Sequence, residues 1–437
     1  LVGGKKTERR VYARQHRPAH HVCINEESEA DDMQDTEHSS VYANQVSAQI
    51  DAAVGNVSGI LLEVSHAIHD KPELAFEEHF ACELLAQTLR DHDLEVETGV
   101  YSLETAFATT INSERAGPTV AVLAEYDALP QIGHACGHNI IATSALGATL
   151  ALNAVAASLP GRVKLLGTPA EERGGGKELM ARAGAFEGID AALMIHPAGV
   201  NLATMPSICV AEVEVIYHGK SSHASAMPHK GINALDGLLL AYQAISNLRQ
   251  HIRSTERIHG IVKEGGAAPN IVPDRTVGQF YVRAANEQEL AALKPRVQAC
   301  FAAGAAGSGC TVEVNWAGVD YLDINTNWPL AERFRYHAEQ LGREFIDDDQ
   351  ALKFGAGSTD MGNVSYRLPS IHPMLAVAPP NVVIHHPEFA QWARSEKGDE
   401  AVIDGAKALA LTAAEYLLSP QLQRQSAQAF ELSQGLS

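Results

Sequence analysis

Three short apolar segments of the chain run directly into polar residues, and helical patterns separate them. The segments are TVAVLAEYDAL at 119–129, RVKLLGTPAEE at 162–172 and DAALMIHPAG at 190–199. Short apolar strands that alternate with helices are typical of a mostly parallel sheet covered by helices on both faces. Ligands bind such sheets beyond the carboxyl ends of the strands. The sequence therefore predicts an α/β fold with a functional site at that edge of the sheet.

The pattern changes near residue 206, where a second unit begins. The segment ICVAEVEVIYHG at 208–219 alternates apolar and polar residues, as a strand with one wet face does. The patterns of two helices and three further strands follow it. This order predicts an α+β, ferredoxin-like unit whose helices cover one face of its sheet. We therefore expect a larger domain at 45–205 and 321–437, with a smaller domain inserted at 206–320.

Residues 1–44 differ in composition from the rest of the chain. A basic piece, KKTERRVYARQHRPAHH, runs into an acidic one, EESEADDMQDTEHSS, and the sparse apolar residues show no period. Such composition is typical of a flexible arm. His16, His20 and His21 could bind a metal ion, but the composition favours a solvated tail.

Charge and cysteine usage limit the partners that the chain can have. The formal net charge of −20 argues against binding to nucleic acid, which requires a basic face that displaces counterions. The six cysteines are scattered without a CxxC pair, which predicts a reduced, cytoplasmic protein. No apolar run is long enough to span a membrane. We expect neither nucleic acid nor a membrane as a partner.

Side chains that commonly bind metal ions follow all three predicted strands, and a further pair lies near the end of the chain. They are Cys136 and His138 in GHACGHN, Glu171 and Glu172 in PAEE, His196 in MIHP, and His385 and His386 in VIHHPEF. Thiolate, imidazole and carboxylate groups together suit a borderline divalent ion such as zinc or manganese.

Each of these residues also has a commonplace interpretation. A single cysteine such as Cys136 is often a small buried residue, a histidine before proline often sits in a turn, and adjacent glutamates are usually solvated. A redox role for Cys136 is disfavoured because no second cysteine is near it in the sequence. The shared position at strand ends favours a metal site, because the carboxyl ends of parallel strands meet at one edge.

The chain resembles the aminoacylase and glutamate carboxypeptidase family of metallopeptidases. Within it, the chain is most similar to the amidohydrolase branch of p-aminobenzoyl-glutamate, indole-acetyl-amino-acid and hippurate-type hydrolases. The resemblance covers roughly residues 57–415. The matching segments are HDKPELAFEE, AEYDALPQIGHACGHN, GTPAEERGGGK, MIHP, GKSSHASAMPHKGINALD, APNIVPDRT, GSTDMGNVS and HHPEF.

The resemblance implies one or two divalent ions per subunit, manganese or zinc, and a set of metal ligands. It also implies that Glu171 is the general base. Because the family usually has His-Ser/Thr-Pro where this chain has His385-His386-Pro387, the choice between His385 and His386 stays open. The implied metal ligands are Cys136, His138, Glu172, His196 and His385.

The same resemblance assigns functions to the smaller domain. His223, in KSSHASAMP, matches a family histidine that stabilises the oxyanion, often in the site of the partner subunit. This implies a homodimer, with the inserted domain acting as a lid and as the dimerisation surface. Asn270, in PNIVPD, matches a family asparagine near the substrate. Arg283 could pair with a substrate carboxylate, although a solvent-facing strand arginine is an equal alternative.

Further residues are expected beside the cleft. Ser358 and Thr359, in the family's Gly-Ser-Thr-Asp loop, are expected to line or support the pocket, together with Asp360. Asp127 is expected to orient a metal-ligating side chain by accepting a hydrogen bond. Arg173, where the family usually has glycine, could contact the substrate.

The sequence thus predicts a metal-dependent amidohydrolase that cleaves a small-molecule amide between an acyl or aromatic group and an amino acid with a metal-activated water. Two alternatives stay within this fold: a dipeptidase of narrow specificity, and a hydrolase that acts directly on an aromatic amine. A third alternative is a catalytically dead binding subunit. The intact Glu171–Glu172 pair argues against the third.

Overall fold

The computed structural model of the chain describes residues 32–347 and 356–435, with side chains from residue 44 onward. The first helix begins at Asp32, so the last part of the segment predicted as an arm is helical. Its apolar residues recur every three or four positions and are buried from Val46 onward, which is the pattern of an amphipathic helix docked on a core. The histidines at 16, 20 and 21 lie outside the described residues.

The chain first builds the greater part of a helix-covered sheet. Short strands alternate with helices here, as the sequence predicts. In chain order the elements are α1 (Asp32–Asp70), α2 (His79–Arg90), β1 (Val96–Thr98), β2 (Phe107–Asn112), β3 (Thr119–Ala124), α3 (His138–Ala154), β4 (Arg162–Gly167), α4 (Gly176–Arg182), β5 (Ala191–Leu193) and β6 (His196–Ala198).

A smaller α+β unit follows, and the chain then returns to the first sheet. The unit consists of β7 (Cys209–His218), α5 (Ala234–Leu248), β8 (Arg257–Glu264), β9 (Arg275–Ala284), α6 (Glu287–Ser308) and β10 (Thr311–Trp316). The returning segment contains α7 (Trp328–Gln340), α8 (Met361–Ser365), β11 (Ser370–Ile371), β12 (Met374–Ala376), α9 (Pro387–Trp392), α10 (Glu396–Leu418) and α11 (Pro420–Gly435).

The central sheet has six strands in the order β1-β2-β4-β3-β5-β11. Strands β4, β3, β5 and β11 run parallel, whereas β1 and β2 form an antiparallel edge. Every residue of β3 is buried, as expected for the middle of a sheet covered on both faces. The prediction of a mostly parallel α/β sheet is confirmed. Because β11 pairs with β5, residues after the smaller unit complete a sheet that residues before it began.

The sheet of the smaller unit is antiparallel, in the order β10-β7-β9-β8. Along β7, buried residues alternate with partly exposed ones, as the sequence pattern predicts. Tyr217, Phe280 and Phe301 belong to the buried cluster between this sheet and its two helices, α5 and α6. The opposite face of the sheet carries polar side chains and borders the cleft described below.

Helix α3 lies behind the central sheet, between α1 and α10, and is buried from His138 to Leu152. Glycine allows the three helices to approach closely. A Cβ added at Gly147 would lie 2.6 Å from Cδ1 of Leu61 in α1 and 2.8 Å from Cβ of Ala406 in α10. Among the described residues, no helix has both the length and the apolarity needed to cross a membrane.

We expect Gly147→Val to lower the free energy of unfolding by about 1–3 kcal/mol, because the added carbons overpack the contact of three helices. The matched control is Gly59→Ala in α1, where a Cβ would meet no atom within 4 Å. That substitution should stabilise the protein by about 0.5–1 kcal/mol, since alanine has the higher helix propensity. Urea unfolding of both variants measures the difference. Equal effects of the two substitutions would contradict the packing described.

Candidate metal centre and cleft

The loop between β3 and α3 brings the first two predicted metal ligands to the edge of the sheet. Gly137 adopts a left-handed backbone, with φ of 79°, and caps the helix that begins at His138. A Cβ added to Gly137 would lie 2.5 Å from Cγ of Pro197. Glycine is therefore required here both by conformation and by the closeness of the next strand's end. The result is that Cys136 lies beside His196.

The five predicted metal ligands lie together in two groups that share Cys136. Sγ of Cys136 lies 3.4 Å from Nε2 of His196, and His385 Nε2 lies 3.4 Å from Oε2 of Glu172. Within each group, the donor atoms lie within 4.8 Å of one another. The groups are Cys136, His138 and His196, and Cys136, Glu172 and His385.

Of the two adjacent histidines, His385 belongs to this cluster. Its backbone is left-handed, with φ of 65°, and its N–H donates to the carbonyl of Ala135, one residue before Cys136. The ring of His386 instead accepts a hydrogen bond from the backbone N–H of Glu388 at the start of α9. The structure thus brings His385 to the candidate metal centre and uses His386 to cap a helix.

Hydrogen bonds fix the orientation of the buried imidazoles. Nδ1 of His138 donates to Oδ1 of Asp127 at 3.0 Å, and Nδ1 of His196 donates to the carbonyl of Pro197 at 2.7 Å. With Nδ1 engaged in this way, Nε2 of each ring is the atom that would offer a lone pair to a metal ion in the cluster. Asp127 also accepts the backbone N–H of Glu172 at 2.8 Å, so one carboxylate orients a ring and the neighbouring loop.

Several buried atoms of the cluster have no hydrogen-bond partner among the described residues. These include Nε2 of His138 and Oε1 of Glu172. A buried polar atom without a partner is costly, so a bound cation would satisfy a real deficit. Burial, followed by repulsion from Glu125 and Glu172, raises the pKa of Glu171 well above its ordinary range. The donor chemistry and this excess of negative charge both fit a divalent metal ion.

Sequence reasoning missed a buried network behind the cluster. The side chain of Lys177 is fully buried, and its ammonium lies 2.5 Å from Oε2 of Glu125 and 2.7 Å from Oδ1 of Asp360. Asp360 also accepts the backbone N–H of Lys177 at 2.8 Å. A lysine after three glycines is usually exposed, so the motif GGGK does not indicate that Lys177 is buried. The one indication in the sequence is that Glu125 directly follows a buried strand.

Glu78, a second residue without a predicted role, supports the loop that carries the glutamate pair. Its side chain accepts hydrogen bonds from the backbone N–H of Ala170 at 2.8 Å and from the hydroxyl of Thr105 at 2.9 Å. Ala170 has a positive φ of 61°, so this contact holds an unusual backbone directly before Glu171. Burial, followed by the negative charge of Asp127, raises the pKa of Glu78 to about 7.

A cleft of about 1810 Å³ separates the candidate metal centre from the helix-free face of the smaller sheet. Glu171, Glu172 and His385 line one side. Arg283 lines the other side and donates to the hydroxyl of Ser358 at 3.0 Å. Of the residues predicted to bind substrate, Arg283 and Ser358 thus border the cleft.

Three further predicted site residues do not line this cleft. Thr359 is buried, and its hydroxyl accepts the N–H of Met361 at 3.2 Å, so it supports the loop from inside. His223 and Asn270 lie on the exposed surface of the smaller unit, where the N–H of Ala224 donates to the Asn270 carbonyl. Within one chain, His223 is therefore not brought beside Glu171.

Comparison with known proteins places this geometry in context. A family model described as Peptidase family M20/M25/M40 matches residues 121–415. The Xaa-Arg dipeptidase of Mus musculus is 41% identical over 379 residues, which cover 82% of this chain and 86% of that protein. One of the subunits of the Escherichia coli K12 p-aminobenzoyl-glutamate hydrolase is 32% identical over 268 residues, or 56% of this chain and 54% of that protein.

Two solved structures share the fold. An aminobenzoyl-glutamate utilization protein from Klebsiella pneumoniae has a TM-score of 0.66 and 19% identity, and the match covers 83% of this chain and 98% of that one. A Bacillus subtilis protein described as a dinuclear metal binding peptidase from the M20 family has a TM-score of 0.61 and 21% identity, with coverage of 83% and 99%.

We expect Glu78→Gln to remove a pH dependence of stability. The folded protein binds the Glu78 proton more tightly than the unfolded chain, because the pKa rises from 4.5 to about 7. The corresponding stability is complete below pH 4.5 and is lost as the pH rises through about 7, for a total of about 3 kcal/mol. Glutamine can still accept from Ala170 but does not titrate. Urea unfolding between pH 4 and pH 8 at about one-unit steps tests this.

The control for this prediction is Glu83→Gln, which removes an exposed carboxylate of α2. We expect its stability to follow that of the wild type across the pH series. A Glu78→Gln variant whose stability differs from that of the wild type by a constant amount at every pH would contradict the assignment.

Proposed function

Since the chain belongs to peptidase family M20/M25/M40 and is a metal-dependent hydrolase of C–N bonds, we propose that it is a dipeptidase whose preferred substrates end in a basic residue. The observation that carries the proposal is the cluster of buried, unpartnered donor atoms beside Glu171 at the base of a wide cleft. The identity to the mouse Xaa-Arg dipeptidase over most of both chains supports the substrate class.

Cys136, His138, Glu172, His196 and His385 would hold the metal. Their arrangement in two groups that share a thiolate supports two ions, and the mixture of sulfur, nitrogen and oxygen donors supports zinc or manganese. A divalent ion in such a site supplies Lewis acidity, which polarises an amide carbonyl and acidifies water.

Glu171 would act as the general base. Its carboxylate is buried at the base of the cleft and lies 3.9 Å from Nε2 of His138. It would accept a proton from the attacking water and deliver it to the leaving nitrogen. Tyr321 steadies this residue by donating its hydroxyl hydrogen to the Glu171 carbonyl at 2.6 Å. Asp127 would hold the His138 ring in the tautomer that leaves Nε2 free.

Residues on the opposite side of the cleft would select the substrate. Arg283, held by Ser358, would pair with the terminal carboxylate of a dipeptide, with Arg173 as a second cation bordering the cleft. Glu212 projects from β7 into the same cleft, where its carboxylate accepts a hydrogen bond from the side-chain amide of Gln279. A carboxylate in that position would favour a positively charged substrate side chain.

The substrate panel consists of Ala-Arg, Ala-Leu, Ala-Glu and p-aminobenzoyl-glutamate, each supplied with manganese, zinc or cobalt. We expect kcat/KM for Ala-Arg to exceed that for Ala-Leu by about tenfold, which corresponds to 1.4 kcal/mol of ionic recognition. Glu171→Gln is the control and should bind the metal while kcat falls by about 10²–10⁴-fold.

A different order of kcat/KM among these substrates would point to a different function. Efficient cleavage of p-aminobenzoyl-glutamate without dipeptide hydrolysis would favour the function named for the Escherichia coli relative. Activity on an unacylated aromatic amine alone would favour the aminohydrolase alternative. Full activity of Glu171→Gln would contradict the mechanism.

The active form would be a homodimer in which His223 of one chain completes the cleft of the other. His223 and Asn270 are exposed and lie beside apolar Ile271, which is 46% exposed. The edge strand β8 presents Ile261, which is 60% exposed, on the same unit. Exposed apolar groups beside an unpaired strand edge support association of two copies. The smaller unit would then act as both lid and dimerisation surface.

A cytoplasmic location is part of the proposal. The described cysteines are free, and four of these five are buried. Free thiols are typical of a reducing compartment.

The dimer can be tested by mixing two inactive variants. We expect Glu171→Gln and His223→Ala each to lose activity as homodimers. A heterodimer made by joint refolding would contain one cleft with an intact Glu171 and the partner's intact histidine. Activity should therefore reappear, at up to about one quarter of the wild-type value for random assortment, since half the dimers are mixed and each has one working cleft. If His223 acted within its own chain, the mixture would stay inactive.

A further inference from the structure

Glu125 follows β3 directly, and its two carboxylate oxygens have different surroundings. Oε2 accepts a hydrogen bond from the Lys177 ammonium at 2.5 Å. Oε1 is buried and has no hydrogen-bond partner among the described residues. It lies 3.4 Å from Nε2 of His138, which is likewise without a partner. Glu125 stands outside the five metal ligands that the family resemblance implies.

The two facing atoms could both bind a cation. Because Nδ1 of His138 donates to Asp127, Nε2 is the ring atom that would offer its lone pair to a metal ion. A divalent ion between Nε2 and Oε1 would take the place of a proton on Nε2 and compensate the charge of the carboxylate. A carboxylate oxygen of Glu171 completes this group, with all three donor atoms within 4.8 Å of one another.

The separation is that of two ligands on one ion. Nitrogen and oxygen ligands lie about 2.0–2.2 Å from zinc, so two of them in a tetrahedral arrangement are about 3.4 Å apart. Oε1 of Glu125 and Nε2 of His138 are separated by 3.4 Å. Both atoms are therefore spaced to contact the same divalent ion.

Lys177 determines which oxygen of Glu125 is available. Its ammonium is fixed by Oδ1 of Asp360 at 2.7 Å, and Asp360 is fixed in turn by the backbone N–H of Lys177. The hydrogen bond from Lys177 occupies Oε2 of Glu125, and Oε1 is left facing His138. The side chains of Lys177, Glu125 and Asp360 are all fully buried, so bulk water does not reach these contacts.

We propose that Oε1 of Glu125 is a further ligand of the divalent ion held by His138, and that Lys177 is the positioning residue that presents it. The ion would then be bound by a carboxylate that also forms a buried ion pair with Lys177. The inference rests on the metal dependence of the proposed function and is independent of the substrate class.

The test measures divalent-ion affinity of the purified full chain after chelation. Glu125→Gln keeps the shape of the side chain and removes its charge, whereas Glu125→Asp keeps the charge and withdraws the oxygens by one methylene. We expect either variant to bind zinc and cobalt at least about tenfold more weakly than the wild type. The absorption bands of the cobalt-loaded protein should also shift, because they report the ligands of the ion.

Glu178→Gln is the matched control. Glu178 is a buried carboxylate of α4 whose partners are Arg182, Arg367 and Asn363, and it belongs to none of the donor groups. Its substitution should leave the cobalt bands and the affinity unchanged. Lys177→Met, which frees Oε2 of Glu125, should alter the same bands although Lys177 does not contact the ion.

A folded Glu125 variant with the wild-type affinity and cobalt spectrum would overturn the proposal. So would an equal loss in Glu178→Gln, because the effect would then belong to any buried carboxylate. If Glu125→Gln fails to fold, Glu125→Asp, which retains the partner of Lys177, decides the outcome. A wild type that binds metal but hydrolyses no dipeptide would refute the proposed substrate class and leave this inference intact.

Discussion

The structure depends on how negative charge is held at the carboxyl end of the central sheet. Four carboxylates are buried in the loops at this edge: Glu125, Asp127, Glu171 and Asp360. The ammonium group of Lys177 is buried with them. Burial of uncompensated carboxylates would destabilise the fold by several kcal/mol for each ion. Burial raises the pKa of Glu171 well above its ordinary range, so protonation of this carboxyl group and binding of a divalent ion are two ways to compensate the charge.

Unusual backbone conformations give this site its shape. Gly137, Ala170 and His385 all have positive φ values, and each lies within one or two residues of a proposed metal ligand or is one itself. For residues other than glycine such conformations cost on the order of 1–3 kcal/mol each. The buried contact from Glu78 to Ala170 and the hydrogen bond from His385 to Ala135 oppose that cost. Hydrogen bonds within the protein thus offset part of the cost of these backbone conformations.

Much of the architecture could be predicted from periodicity. In β7 apolar and polar residues alternate because one face of its sheet is covered, and β3 is apolar throughout because both faces of its sheet are covered. Both patterns can therefore be seen in the sequence. Four of the five metal ligands implied by resemblance, Cys136, His138, Glu172 and His196, come together because parallel strands end at one edge. His385 reaches them from a later loop, through its hydrogen bond to Ala135. Periodicity could not reveal the burial of Lys177, since its environment is made by Glu125 and Asp360, which are distant in the chain. The helical start at Asp32 was missed for a related reason, because apolar residues become regular only further along α1.

Contacts between distant parts of the chain also limit the order in which the protein can fold. Strand β11 joins β5 across the whole inserted unit, and His385 joins Cys136 from almost 250 residues away. During synthesis β5 emerges before the inserted unit and β11 after it, so their pairing can form only once that unit has been made. Contacts of such sequence separation form slowly and leave apolar surface exposed in the meantime. A product truncated before residue 385 would retain Cys136, His138, Glu172 and His196 without His385 and would therefore have an incomplete set of proposed metal ligands.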